Sequence, residues 1–257
     1  MPNNNWTREE HVLAFNLYCK IPFTKINANY APVKELALLI GRTNGSVAMK
    51  LANFARLDPA LKARNISGLT QGAKGEEVVW KEFNSDWNKL AWESEKILTR
   101  YKGTKIELLN DLDDKEIVIE GLEREAIIKA RVNQSFFRKT ILAAYNSTCC
   151  ITGINKPELL IASHIIPWAT NKELRVNPTN GLCLNALHDK AFDNGLIAIR
   201  PEDYSLVISS ELKQKKFFSP TCETNFISYE SKQIILPDKF LPSREFLDYH
   251  YNKIFKK

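Results

Sequence analysis

The chain has 257 residues, 44% of them hydrophobic, and a formal net charge of +6. That length and apolar content suit two modest domains with proper cores. No run of eighteen apolar residues occurs and the start lacks a basic-then-apolar signal pattern, so no membrane partner is expected and the expected location is cytoplasmic. There the five cysteines, at 19, 149, 150, 183 and 222, stay reduced. Thr7-Arg8-Glu9-Glu10 reads as a capping box opening a helix with Val12, Leu13, Phe15, Leu17 and Tyr18. Pro32 suits the first turn of a second helix, which Gly41 stops. A third segment, Asn44 to Phe54, sets Val47, Leu51 and Phe54 on one face and Ser46, Lys50 and Asn53 on another. Helix, short glycine turn and polar-faced helix form a helix-turn-helix-like arrangement. Arg42, Ser46, Lys50 and Asn53 are its candidate contacts to double-stranded DNA. A small helical bundle with a solvated face is the plainer reading.

Glu76 to Tyr101 reads as one long helix, with apolar residues recurring every three or four positions. Such a helix could bridge two domains, pair with a copy of itself in a homodimer, or pack in a core. The segment from Glu107 to Glu120 is acidic and reads as a linker. Residues 1–105 carry +6, 106–122 carry −5, 123–200 carry +4 and 201–257 carry +1. The two basic blocks suit a polyanion. The expected division is 1–74 for the helical domain, 75–122 for the long helix and linker, and 123–257 for the remainder.

The C-terminal part holds the chemistry. Only four histidines exist, at 11, 164, 188 and 250. Ser163-His164-Ile165-Ile166-Pro167-Trp168 is followed by Asn180-Gly181-Leu182-Cys183-Leu184 and Leu187-His188-Asp189, so His, Asn and His succeed one another at intervals of 16 and 8 residues. Ile161 to Ile166 reads as a buried strand ended by Pro167. Leu184, Leu187 and Ala191 have helical spacing, which puts His188 on a helix facing the strand of His164. One imidazole near neutral pH can deprotonate a water, and a second can hold a divalent ion. Singly, each residue is ordinary: a strand histidine, a turn asparagine, a helix histidine. Gly195–Ile199 and Tyr204–Ile208 flank Pro201-Glu202-Asp203 as a β-hairpin. The tail over 217–257 is aromatic and basic, and His250 has no motif around it.

In order and at these spacings, the three residues resemble the HNH, or ββα-metal, nuclease motif. Thr148-Cys149-Cys150-Ile151-Thr152-Gly153 before it, and Phe192-Asp193-Asn194-Gly195-Leu196-Ile197 after it, are similar to the restriction-type branch found in bacterial defence nucleases. Gln134, Phe136, Phe137, Arg138 and Tyr145 resemble that branch's lead-in helix. The resemblance implies an α+β protein: an N-terminal helical, helix-turn-helix-like domain, a long connecting helix and a C-terminal ββα-metal domain. It implies a DNA endonuclease with His164 as general base, Asn180 bracing the metal loop, and His188 holding one Mg²⁺ or Mn²⁺. Asp193 or Asp189 is a further candidate ligand, because Ser163 replaces the Asp or His that many HNH nucleases carry before the base. The cysteine spacings cannot build paired zinc knuckles, so no structural zinc is expected. A DNA-binding regulator that keeps the fold as a scaffold is the alternative function, and an RNA-directed nuclease is a third.

Overall fold

The structure, a computed structural model, describes residues 5–64, 74–106, 122–214 and 219–257. The chain forms two compact units, Met1–Ala144 and Tyr145–Lys257. The acidic stretch expected as a linker lies outside the described residues.

The first unit is helical. Helix α1 (Arg8–Lys20) opens on the expected capping box, with Thr7 and Glu10 exchanging side-chain and backbone bonds. Helix α2 (Ala31–Leu39) has its proline in the first turn, and Gly41, at φ +68°, turns the chain toward α3 (Asn44–Ala55), which Thr43 caps. A short α4 (Pro59–Ala63) starts at Asp58, whose other carboxylate oxygen accepts the Tyr18 hydroxyl at 3.0 Å. The run expected as one long helix is two: α5 (Lys74–Phe83) and α6 (Trp87–Lys102). Asp86 accepts the Lys89 amide at 2.9 Å and so caps a new helix. The break keeps Val79, Phe83, Trp87 and Leu90 all buried, and for that reason the apolar periodicity runs through it undisturbed. Phe15 is the hub, with ring centroids 4.8 Å from Phe54, 5.1 Å from Trp80 and 5.8 Å from Trp87. Each such aromatic pair contributes about 0.5–1.5 kcal/mol beyond its buried area.

Helix α7 (Leu122–Ala144) packs on α1 and α6. Its buried residues Ile128, Val132, Phe136 and Ile141 recur at helical spacing. The unit boundary therefore falls at 144/145, where the sequence reading put it at 122/123, and residues 75–106 are part of the helical unit instead of a connector.

The second unit is mixed. Strand β1 (Leu160–His164) pairs antiparallel with β2 (Gly181–Asn185), in a register that sets His164 opposite Gly181 and Leu160 opposite Asn185. Leu184 is expected on the helix of His188, but Gly181–Asn185 is a strand buried along its whole length. Leu184 belongs to that strand, and α8 (Ala186–Asp193) begins only after Asn185 caps it through the His188 amide at 2.9 Å. The expected hairpin is β3 (Ile197–Ile199) with β4 (Leu206–Ile208). Helices α9 (Pro220–Asn225) and α10 (Arg244–Lys253) complete the unit. Gly195, at φ +68°, allows the C-terminal segment close: a Cβ there would lie 2.1 Å from the Ile254 carbonyl oxygen. Among the described residues no helix is long and apolar enough to cross a membrane.

Candidate active site

The site is built where β1 ends. Pairing with β2 holds His164 at the strand terminus. The loop from Ile165 to Asn180 then leaves the sheet and returns to it. Asn180, 1% exposed, closes that loop. Its Oδ1 accepts the Ile166 amide at 2.8 Å, and its Nδ2 donates to the carbonyls of Ile166 and Leu174, both at 3.2 Å. The Asn180 carbonyl accepts the Ile165 amide at 3.0 Å. A carboxamide is the side chain that can donate and accept in this way, and neither Asp nor Leu could replace it.

The braced loop presents Arg175 to His164. Nε2 of His164 is 2.9 Å from the Arg175 carbonyl oxygen, which can only accept, so Nε2 carries the proton and Nδ1 the lone pair. Arg175 in turn donates from Nε to the Trp168 carbonyl at 2.8 Å and lies 4.7 Å over the Trp168 ring. That ring stands edge-on to His164 at 5.4 Å. Burial pushes the His164 imidazole below its ordinary value, as does the Arg175 charge; the Arg175 hydrogen bond and Asp189 act the other way.

The two acidic candidates lie one turn apart on α8. Partial desolvation and then the neighbouring Asp189 raise the Asp193 carboxyl from its ordinary value. Asp189 also acts electrostatically on His164, so that imidazole and this helix share one field. His188 lies on the same helix. Its side chain is fully buried, with Nε2 2.7 Å from the Asn225 carbonyl oxygen and Nδ1 3.1 Å from Asn185 Oδ1. Phe226 and Tyr229 pack against its ring. The helix begins at Ala186 and packs on β1 and β2, and its phase turns position 188 into the core and position 189 outward.

Among the described residues no group of three His, Cys, Asp or Glu side chains is close enough to hold a metal ion. The donor chemistry of Asp189 and Asp193 is nonetheless that of a hard divalent ion, which commonly takes one or two carboxylates and keeps several waters. Their mutual repulsion is what such a cation relieves.

The candidates of the first unit are placed differently from the expectation. Lys50 and Asn53 are buried, and both donate to Glu76 Oε1, at 2.6 and 2.9 Å. Arg42 is bidentate on Glu10 and lies 5.3 Å over the Trp6 ring. Ser46 accepts the Trp6 indole N–H at 3.3 Å. Helix α3 has no other charged residue, so the face it turns outward, with Asn44, Ala48 and Met49, carries no charge. The polar face is occupied because α5 supplies a buried carboxylate that needs those donors.

Sequence reasoning missed Arg175 and Trp168. The loop also holds Lys172 and Glu173, and nothing in its pattern distinguishes which cation the loop folds onto the histidine. Residues 149–200 match the family model described as HNH endonuclease. That span holds β1, the braced loop, β2, α8 and β3, and the match supports a nuclease domain toward the C-terminal end of the chain. No curated protein matches the chain.

Proposed function

We propose that the second unit hydrolyses phosphodiester bonds in duplex DNA and requires one hydrated divalent ion, Mg²⁺ or Mn²⁺. The observation that carries the reading is the His164 tautomer: Nε2–H is committed to the Arg175 carbonyl, which leaves the lone pair on Nδ1, and a lowered pKa keeps the ring neutral at physiological pH. Nδ1 takes a proton from a water as its oxygen bonds to phosphorus and the bond from phosphorus to the 3′ oxygen breaks. The Arg175 guanidinium, held by Trp168, neutralises charge on the phosphate. When bound, the ion supplies further charge neutralisation at the phosphate and the leaving oxygen. Asp189 and Asp193 would hold it, and waters would fill the rest of its shell. His188 is a core residue in this reading. Asn180 positions the loop and does not touch the reacting atoms.

The likeness to restriction-type HNH nucleases extends the proposal to defence against foreign DNA. Ser163 in place of a ligand residue favours one competing reading, a DNA-binding regulator without activity. Supercoiled plasmid, unmodified or cytosine-modified, incubated with Mg²⁺, with Mn²⁺ and without metal separates the two. Metal-dependent nicking is expected, and His164→Ala should slow it by about 10²–10⁴-fold. Absence of cleavage by the wild-type protein under all conditions favours the regulator. Undiminished cleavage by His164→Ala removes His164 as the base.

A further inference from the structure

We infer that a hollow beside the His164 loop takes one unstacked DNA base that carries an exocyclic amino group. The inference rests on the nuclease reading and names the part of the substrate that the second unit reads. The hollow measures about 450 Å³, within the range of about 300–1,000 Å³ for sites that enclose small organic groups. One wall is the braced loop, through Ile166, Thr170, Asn171 and Leu174, and the other is α10. Ile166 and Leu174 are the residues whose carbonyls Asn180 holds, so the bracing that presents Arg175 to His164 also shapes this wall. The Ser243 amide ties the two walls together by donating to the Thr179 carbonyl at 2.9 Å. Ile166 is two residues from His164, at most about 7 Å of chain, which is about the rise of two stacked nucleotides. A base in the hollow therefore belongs close to the phosphate that His164 serves.

The lining suits a base and not a phosphate. Helix α10 turns Leu247 and His250 into the core. Its next face lines the hollow with Glu245, Phe246, Asp248, Tyr249 and Asn252, at helical spacing. Phe246 and Tyr249 are half-buried, and neither stacks on another ring among the described residues. With Ile166 and Leu174 opposite, they form an apolar slot with aromatic sides, on which any base can stack. Glu245 and Asp248 stand exposed at its edge. Asn252 donates to Asp248 Oδ1 at 2.9 Å, which fixes that carboxylate and leaves its other oxygen to accept. Two carboxylates repel a phosphate, and they accept from the amino group of a base, as at cytosine N4. Thymine puts a carbonyl oxygen at that position, which a carboxylate rejects. Lys253, at the end of the same face, can meet the backbone that flanks the base.

The test uses the full chain, chelator to prevent cutting, and duplex probes that differ only in one unpaired position: cytosine, thymine or an abasic site. An unpaired base costs least to unstack, so the probes isolate the hollow from the opening of the duplex. The wild type should bind the cytosine probe about fivefold or more tighter than the thymine and abasic probes. Tyr249→Ala should weaken the cytosine probe by about five- to 150-fold and leave the abasic probe unchanged, while Tyr249→Phe keeps the ring and the affinity. Replacing Glu245 and Asp248 together by alanine should bring the cytosine and thymine probes level. If Tyr249→Ala does not fold, Thr170→Trp carries the test, because it fills the hollow from an exposed loop position and should abolish the preference. Equal binding of all three probes by the wild type overturns the inference, as does a loss in Tyr249→Ala that is as large on the abasic probe. A wild-type protein that nicks plasmid with divalent ion yet shows no preference removes only the base site. A wild-type protein that neither binds DNA nor nicks plasmid removes the nuclease reading with it.

Discussion

Replacing Lys50 by methionine should destabilise the helical unit and leave DNA binding by the folded protein unchanged. The Lys50 ammonium is 2.6 Å from Glu76 Oε1, and the Glu76 side chain is fully buried. Burial raises the Glu76 carboxyl, yet the hydrogen bonds from Lys50 and Asn53 outweigh it and the net shift is downward. The second carboxylate oxygen has no hydrogen-bond partner, and its neighbouring ring nitrogen, His11 Nε2 at 4.0 Å, is neutral because burial lowers its pKa. Removing Lys50 thus strands a buried carboxylate on one amide donor. Breaking one side of a buried pair costs about 3–5 kcal/mol. At roughly 3 °C per kcal/mol for a unit of this size, melting should fall by about 10 °C. The pH dependence has a definite sign. In the wild type the depressed Glu76 pKa gives stability that is present above the unfolded carboxylate value and lost as pH falls through the folded one. In the variant burial dominates, so the folded carboxyl binds its proton more readily and the deficit shrinks as pH falls. A second change, Glu76→Leu, should recover much of the loss in K50M by removing the stranded charge. Thermal melts by circular dichroism between pH 4 and 8, with DNA titrations well below the melting point, decide the matter. Wild-type melting in K50M, together with a lost salt-dependent affinity, would refute the reasoning and return Lys50 to the DNA-binding face.

Two further outcomes follow from the second unit. His188→Ala should lower thermal stability, because it leaves the Asn225 carbonyl without its donor, while the divalent-ion titration of cleavage stays unchanged; Asp189→Asn and Asp193→Asn should shift that titration to higher concentration. A reversed pattern would put the ion at His188. His250, stacked on Phe192 at 3.7 Å, is held neutral with its pKa lowered by burial to about 4. The unfolded chain binds that proton near pH 6.5, so stability should fall as pH drops from there toward 4, by about 3 kcal/mol in all. A His250→Phe protein should lose much of this acid sensitivity, and an unchanged stability profile in denaturant titrations would show that another group controls it.

The linear sequence determined much of this protein, wherever the determinant is local. The Thr7–Glu10 capping box, Pro32 in a first turn, Gly41 between α2 and α3, and the β3–β4 hairpin depend on residues within a few positions of one another, and they formed as read. The order His164, Asn180, His188 located the nuclease segment, because a braced loop between strands imposes a spacing that survives in sequence. What the sequence could not decide was phase and partnership. One residue of helix phase separates His188 in the core from Asp189 outside it, and that phase is set by where β2 stops pairing with β1. The break between α5 and α6 was invisible because both helices bury the same apolar stripe. Lys50 looked like a surface cation for want of Glu76, which lies 26 residues away and meets it only when α5 packs against α3. Arg175 became part of the site through a hydrogen bond from the His164 ring to its backbone carbonyl, a contact that no side-chain pattern encodes. Each of these depends on tertiary packing, because the energy of a buried charge or a satisfied carbonyl is settled by the group brought against it.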